Sequence, residues 1–165
     1  MVELISLSSS EFDQYWKDDI QRYAGENVKA GYWAKEGAIR RSQSEHKRVL
    51  PDGLATPGHF IYSIINPENG ERVGIVWFFL QKRAKPPACF IYDLFIFEKH
   101  RRKGYGTDAL RAVEETVSKK NIRSINLHVF NHNRAAKRLY EKAGFKASGI
   151  SMMKKVISRT KKKAL

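Results

Sequence analysis

Hydrophobic residues recur at two different spacings along this chain, and the spacing changes about a third of the way along it. In the first part, apolar residues recur every three or four positions, as they do in a helix packed on one face. This pattern predicts a first helix that ends near Ala24, with Ser10 and Asp13 as its capping pair. It also predicts a second helix over 32–50. The short apolar segment 2–5 predicts a strand ahead of both.

Beyond this region the pattern is that of strands joined by turns. Runs rich in Val, Ile, Phe and Tyr alternate with glycine- and proline-containing segments, and the turn 67–70 joins the first two runs as a hairpin. The predicted strands cover 59–65, 72–80, 88–97, 125–130 and 150–157. The stretch 98–107 opens a helix that runs to about Lys120, and a shorter helix lies within 131–145.

The succession of strand, helix and strand between residues 88 and 130 is a crossover connection. Such a connection makes its two strands parallel neighbours or near neighbours. We therefore expect an α/β fold, with a mixed, largely antiparallel sheet and helices on both faces. The expected organisation is one domain over 1–165, in which residues 1–58 are the helical portion, 59–157 the core and 158–165 a basic tail.

The composition of the chain limits its possible binding partners and its cellular compartment. The chain has 165 residues, with 31 Lys and Arg against 17 Asp and Glu, which gives a net charge of +14. This excess favours an anionic partner, which could be nucleic acid, an acidic surface or a phosphate-bearing cofactor. The single cysteine, Cys89, forms no disulfide within the chain, and the sequence has neither a membrane-length apolar run nor a signal-like start. We therefore predict a cytoplasmic protein without a membrane partner.

The first candidate for chemistry is the turn 101–107, with the sequence RRKGYGT. Gly104 and Gly106 let the backbone approach a ligand, and the first N–H groups of the following helix have no partner within it. The helix dipole and the flanking cations favour a phosphate or pyrophosphate there. The spacing matches neither GxxxxGK[ST] nor GxGxxG, so a glycine-softened basic turn remains the alternative.

A second motif follows about thirty residues later, with the pattern N-x-x-A-x-x-L-Y-E-K-x-G-F over 133–145. Together with R-x-x-G-x-G over 101–106 and the strand between them, it resembles the GNAT superfamily of acetyl-CoA-dependent N-acetyltransferases. The core of the resemblance covers about 59–157. The two helices of the first 58 residues also look like the substrate-side portion of that family.

The resemblance implies a pair of parallel strands that splay apart and admit the thioester of acetyl-CoA. The pyrophosphate would rest on the backbone of the turn 101–107, and the pantetheine arm would follow the end of the preceding strand. Asn133 stands where the family has a cofactor-contacting asparagine. Tyr140 stands where it has the general acid that protonates the departing thiolate. The implied cofactor contacts are Leu94, Phe95, Ile96, Arg101, Arg102, Lys103, Gly104, Tyr105, Gly106, Thr107, Asn133 and Tyr140.

Two of these residues also have a purely structural interpretation. Tyr140 shares a helical stripe with Ala136, Leu139 and Ala143, which is the pattern of core packing. Asn133 is placed to cap the helix that follows, and a cap is compatible with a cofactor contact.

The candidates for the general base come from two neighbouring strands. A base is needed because an alkylamine is mostly protonated at neutral pH. Asp93 is the first candidate, since apolar neighbours would raise the pKa of its carboxyl. His128 is the second, because an imidazole titrates near neutral pH and some family members carry a glutamate there. Asp93 and His128 could each have a purely structural role instead. A base that acts through water would not require either residue to contact the amine directly.

The resulting hypothesis is an N-acetyltransferase that moves acetyl from acetyl-CoA directly to a primary amine of a small molecule, peptide or protein. Tyr23, Glu26 and Tyr92 are candidates for an acceptor pocket that suits a cation, and packing between helices and sheet is their alternative. One cysteine and scattered carboxylates predict no metal site.

Two other functions remain as alternatives. A basic nucleic-acid-binding module draws support from the net charge and the run 99–103, but the sequence has no recognised nucleic-acid-binding motif, which disfavours it. The second alternative is a domain that binds acyl-CoA without catalysis. The resemblance also leaves open a homodimer.

Overall fold

The computed structural model describes residues 1–154 and 156, which form a five-stranded sheet with helices on both faces. The elements are β1 (Glu3–Ser6), α1 (Ser9–Lys29), α2 (Ala38–Val49), β2 (His59–Asn66), β3 (Glu71–Gln81), β4 (Ala88–Ile96), α3 (Tyr105–Ser118), β5 (Ser124–Leu127) and α4 (Arg134–Lys142), with short 3-10 turns at Gly53–Ala55 and Glu98–His100. The strand order is β1-β2-β3-β4-β5. Successive pairs are antiparallel except β4 and β5, which are parallel. The predicted mixed, largely antiparallel α/β fold is therefore confirmed.

Alternate residues of β3 supply two separate cores, one on each face of the sheet. Trp77 packs with Tyr15 of α1 and Leu50, which follows α2. Phe78 is fully buried and packs with Val113 of α3. Since successive side chains of a strand point to opposite faces, α1 and α2 cover one face and α3 covers the other.

The first helix has different ends from those predicted. Its N-cap is Ser8, whose hydroxyl accepts a hydrogen bond from the Glu11 backbone, while the Glu11 carboxylate accepts one from the Ser8 backbone. The predicted capping pair of Ser10 and Asp13 was wrong, because the reciprocal bonds of this capping box start the helix two residues earlier. The helix also continues beyond Ala24 to Lys29.

The second helix starts later than the sequence pattern predicts. It begins at Ala38 rather than at residue 32, because Gly31 and Gly37 both adopt positive φ angles of 76°. Such backbone angles interrupt a right-handed helix, so residues 32–37 form a turn. Among the described residues, no helix combines the length and the apolar character that a membrane crossing requires.

The predicted last strand over 150–157 is not formed by the residues that the structure describes there, 150–154 and 156. Ile150, Met152 and Val156 are 85%, 93% and 91% exposed, so no burial of these side chains favours a strand. Residues 155 and 157–165, which include the predicted basic tail, lie outside the described residues.

Candidate active site

The parallel strands β4 and β5 part at their carboxyl ends. They pair over Ala88–Ile91 and Ser124–Leu127, and β5 ends there, whereas the sequence pattern predicted a strand to residue 130. β4 continues to Ile96, paired only with β3 within the described part of the chain. The edge of β4 over 92–96 is thus open toward the side where β5 has ended.

A β-bulge at Tyr92 accounts for this divergence. Trp77 pairs with Asp93 and Phe78 with Ile91, so Tyr92 is an extra residue in β4. A bulge bends its strand and increases the local twist, which carries β4 away from β5 just where their pairing ends. The sequence alone did not reveal this bulge.

The bulge also places two successive side chains on the face covered by α1 and α2. Tyr92 stacks on Trp77 with 4.6 Å between ring centroids. Asp93 meets Tyr15 and Arg22 of α1. In a regular strand one of these two neighbours would face the opposite core.

The glycine turn lies directly beyond the open end of β4. Gly104 precedes the first residue of α3 with φ of 88°, and a Cβ placed there would meet nothing within 4 Å. At Gly106 a Cβ would lie 3.0 Å from Leu139 of α4, so this glycine lets α3 and α4 approach each other. The basic residues of the turn, Arg101, Arg102 and Lys103, are all exposed. The turn is open, positively charged and adjacent to the amides of a helix N-terminus.

A chain of charged groups connects Asp93 to the two helices above the sheet. Arg22 Nη2 lies 2.6 Å from Asp93 Oδ2 and 2.5 Å from Asp19 Oδ1. The hydroxyl of Tyr15 lies 3.2 Å from Asp93 Oδ2 and 3.3 Å from Asp19 Oδ2. His46 Nε2 of α2 lies 2.9 Å from Asp19 Oδ2. We call these residues, Tyr15, Asp19, Arg22, His46 and Asp93, the Asp93 network.

The two carboxyl groups of the network have opposite pKa shifts. Burial raises the pKa of Asp93 to about 7, and the neighbouring Asp19 charge adds to this effect against the opposing charge of Arg22. Burial also acts to raise the pKa of Asp19, but the hydrogen bond to His46 and the charge of Arg22 outweigh it and lower that pKa. Asp93 therefore exchanges a proton near neutral pH, while Asp19 remains ionised.

Tyr140 approaches this region from α4. Its ring packs against the core beneath α3 and lies 5.7 Å from the ring of Phe145. Among the described residues its hydroxyl has no hydrogen-bond partner. Burial, together with the charge of Asp93, raises the pKa of Tyr140 to about 12, so its phenol is protonated at neutral pH.

Asn133 and His128 lie on either side of the loop that follows β5. Asn133 caps α4, as predicted, because its side-chain oxygen accepts a hydrogen bond from the Ala136 backbone at 3.1 Å. His128 follows the last residue of β5, is exposed and contacts the ring of Phe130. No described hydrogen bond joins His128 to the Asp93 network.

The structure separates one of the three acceptor candidates from the other two. The ring of Tyr23 lies 5.6 Å from His46, whose ring is 6.1 Å from that of Trp77, on which Tyr92 stacks. Tyr23 and Tyr92 thus belong to one aromatic cluster above the sheet. Glu26 lies outside this cluster and pairs with His132 in the loop after β5.

Comparison with known proteins identifies the family. The model of the acetyltransferase (GNAT) family matches residues 11–145. This chain belongs to the GNAT acetyltransferases. The "Uncharacterized N-acetyltransferase YycN" of Bacillus subtilis (strain 168) is 36% identical over 155 residues, which cover 94% of this chain and 99% of that protein. The "Uncharacterized N-acetyltransferase YdgE" of the same strain is 29% identical, over 93% and 97% respectively.

Solved structures agree with this GNAT assignment. The crystal structure of YycN from Bacillus subtilis has a TM-score of 0.91 at 35% identity, with 96% of this chain and 100% of that chain covered. A Pyrococcus furiosus structure at 22% identity, with coverage of 94% and 100%, has a TM-score of 0.63 and shows the same fold. The family resemblance carried by the two motifs is thereby confirmed. The predicted fold class is confirmed as well.

Sequence reasoning missed most of the network around Asp93 in this GNAT chain. Tyr15, Asp19 and Arg22 follow one another at intervals of four and three along α1, so they share a face with its apolar residues. Charged residues on the buried face of a helix were the available signal. Their partner Asp93 lies more than 70 residues away in the sequence, and His46 is on another helix.

The raised pKa of Asp93 predicts a dependence of stability on pH. An unfolded aspartate has a pKa near 3.8, so this group's stabilising contribution is full below that pH and is lost as pH rises through about 7. We expect it to lower the unfolding free energy by about 4 kcal/mol between pH 4 and 8. Urea unfolding at several pH values measures the change.

The Asp93→Asn variant isolates this effect. Burial lowers the pKa of His59, so its contribution is present above the unfolded value near 6.5 and is lost as pH falls below that value through the lower folded pKa, which is the opposite trend. The lowered pKa of Asp19 affects stability only below about pH 4. The difference between wild type and variant should therefore change with pH, and a parallel pair of curves would contradict the role of Asp93.

Proposed function

We propose that this GNAT protein is an N-acetyltransferase that transfers acetyl from acetyl-CoA directly to a primary amine. The observation that carries the proposal is the opening between β4 and β5, which has Asp93 and Tyr140 nearby and the glycine turn at the end of β4. Bound acetyl-CoA would supply an acetyl group activated as a thioester.

The turn 101–107 suits the phosphate-bearing end of that molecule. The left-handed Gly104 directly precedes the right-handed first turn of α3, and such a succession directs backbone N–H groups into an anion-binding concavity. Arg102 is also left-handed, with φ of 60°, which is uncommon for a residue with a side chain. The open space at Gly104 and the three exposed cations suit a pyrophosphate.

The open edge of β4 suits an extended chain with amide groups. Residues 92–96 lack a strand partner on the β5 side among the described residues, so their backbone groups on that side are available to a ligand. We propose that Leu94, Phe95 and Ile96 bind the pantetheine arm there and that Asn133 contacts the cofactor from α4.

Two side chains supply the proton transfers in this proposal. Asp93 Oδ1 has no partner among the described residues, whereas Oδ2 accepts from Tyr15 and Arg22. With its pKa near 7, the Asp93 carboxylate is suited to remove the proton from a protonated amine, directly or through water. The phenol of Tyr140 keeps its proton at neutral pH and would donate it to the leaving thiolate.

The acceptor would enter from the face covered by α1 and α2. Tyr23 and Tyr92 line this face with aromatic rings, which attract a cationic group in addition to packing against it. Glu26, on α1, pairs with His132 of the loop after β5 and adds a carboxylate to that side of the opening. These features support a cationic amine as the acceptor.

Binding of acetyl-CoA is the test of the proposal. We expect isothermal titration to show micromolar binding by the wild-type protein and its loss in Gly104→Glu, because a carboxylate and a strained backbone would oppose the pyrophosphate. Gly37→Glu is the matched control. Gly37 also precedes the first residue of a helix, has φ of 76° and has open space around it.

The two variants give distinct outcomes. Binding that survives in Gly37→Glu and is lost in Gly104→Glu supports the turn as the cofactor site, and a screen of amines with detection of released CoA thiol then identifies the acceptor. Absence of binding by folded wild-type protein would sink the proposal. Salt-dependent binding of nucleic acid in its place would favour the basic binding module.

A further inference from the structure

The hydrogen bonds of His46 require an extra proton inside the Asp93 network. Nδ1 lies 2.9 Å from the backbone oxygen of Ser42, and a carbonyl oxygen only accepts, so Nδ1 carries a hydrogen. The Ser42 hydroxyl lies 3.5 Å from Nδ1 but donates its own hydrogen to the Ile20 carbonyl at 2.8 Å. Nε2 faces Asp19 Oδ2 at 2.9 Å, and an ionised carboxylate also only accepts. A proton must therefore lie between Nε2 and Oδ2.

This proton belongs to the imidazole. Asp19 accepts from Arg22 on its other oxygen at 2.5 Å, and the adjacent guanidinium charge favours the ionised carboxylate. The carboxylate form of Asp19 is thus the stable one, which leaves His46 as an imidazolium. Both side chains are nearly sealed from solvent, with 6% of His46 and 8% of Asp19 exposed.

When Asp93 is ionised, the charges of the network balance only if His46 is protonated. Two cations, Arg22 and His46, then face two carboxylates, Asp19 and Asp93. A neutral His46 would leave one uncompensated negative charge beside Asp93. An opposite charge within a few ångströms favours an ionised carboxylate and a like charge opposes it.

We propose that Asp19 and His46 are positioning residues of the acetyltransferase: their ion pair holds Arg22 against Asp93 and sets the pH at which Asp93 accepts a proton. This inference rests on the proposed role of Asp93. Through His46, the inference gives α2 a part in proton transfer at Asp93. No other side chain of α2 belongs to the Asp93 network.

The tyrosines that face these residues are neutral. Burial raises the pKa of all three: Tyr15 and Tyr23 on α1 and Tyr140 on α4. The rings of Trp16 and Trp77 complete the surroundings of His46. The further charges on that side are Glu45, on the same helix as His46, which accepts a hydrogen bond from Tyr23, and Arg41, which pairs with Glu45.

Nuclear magnetic resonance tests the proton on His46 without any substitution. Long-range proton–nitrogen correlations of the imidazoles report which ring nitrogens carry hydrogen. At pH 7 we expect both nitrogens of His46 to be protonated in the wild-type protein. In Asp19→Asn, whose amide donates to Nε2, we expect only Nδ1 to be protonated. An unprotonated Nε2 in the wild-type protein would overturn the inference.

Titration of the carboxyl carbons in aspartate-labelled protein tests the coupling to Asp93, with Asp93→Asn for assignment. We expect His46→Gln, which keeps a donor to Asp19 but loses the charge, to raise the Asp93 midpoint by about one pH unit. Asp19→Asn removes the carboxylate that raises the pKa of Asp93 and also the weaker opposing charge of His46, so the net effect should be a lower midpoint. Shifts in the same direction, or no shift, would refute the coupling.

His59→Gln is the matched control for these titrations. His59 lies on β2, stacks on Phe79 at 4.4 Å between centroids and makes no described hydrogen bond to the Asp93 network, so the Asp93 midpoint should not move. Once an acceptor is known, the acidic limb of the kcat–pH profile should move as the midpoints do. Acetyl-CoA binding is measured separately by calorimetry, so failure of the proposed function and failure of this coupling give different results.

Discussion

Replacing Tyr140 by phenylalanine is expected to lower kcat for acetyl transfer by about 10²-fold to 10³-fold, with little change in the KM for acetyl-CoA. The substitution removes the proton donor for the leaving thiolate and keeps the ring that packs against Phe145. Because the hydroxyl has no partner among the described residues, its loss should leave the urea midpoint unchanged. Steady-state kinetics with an acceptor from the amine screen provide the measurement.

Tyr62→Phe is the control for this substitution. Tyr62 is also a partly buried tyrosine whose pKa is raised by burial, and it packs in the same core, but it lies on β2 between β1 and β3. We expect its kcat to equal that of the wild type within a factor of about two. Full activity of Tyr140→Phe would remove Tyr140 from the mechanism and leave the thiolate to depart without an enzyme acid.

Arg22→Met is expected to destabilise the fold by about 3 kcal/mol at pH 8, because it leaves Asp19 and Asp93 facing each other without their shared cation. Arg22 bonds both carboxylates, its side chain is only 25% exposed, and its guanidinium lies 3.9 Å above the ring of Phe95. The loss should be smaller at pH 5, where Asp93 is mostly protonated. Urea unfolding at the two pH values measures both quantities.

Arg41→Met separates this effect from the loss of any arginine. Arg41 also pairs with a carboxylate, Glu45 at 3.4 Å, and covers a ring, that of Trp33, at 4.6 Å. It is 59% exposed, so we expect its replacement to change the unfolding free energy by less than about 1 kcal/mol. Equal losses for Arg22 and Arg41 would show that the buried carboxylates do not depend on Arg22.

The order and type of most elements could be predicted from the sequence because their apolar spacing is local. The hairpin of β2 and β3, the crossover through α3 and the cap at Asn133 all follow from patterns within a few residues. The start of α2 and the strand predicted over 150–157 could not. At α2 the positive φ angles near Gly37 interrupted a continuous helical pattern. At Ile150 the apolar side chains have no surface to cover.

Some residues of the candidate site could likewise be predicted from local patterns, and others could not. Gly104 and Tyr140 belong to motifs with fixed spacing, which carried the family resemblance, and the family is confirmed. The roles proposed for these residues stay predictions. Arg22 and His46 could not be found this way, because each becomes significant only through a partner distant in the sequence.

The sequence by itself determined the GNAT family, the mixed sheet and the position of the glycine turn, since local spacing encodes helices, strands and motifs. Only the tertiary structure decided where β4 leaves β5, because the bulge at Tyr92 depends on how β3 and β4 pair. It also decided the surroundings of Asp93. A carboxyl group's pKa depends on burial and on charges a few ångströms away, and those distances exist only once α1, α2 and β4 have packed together.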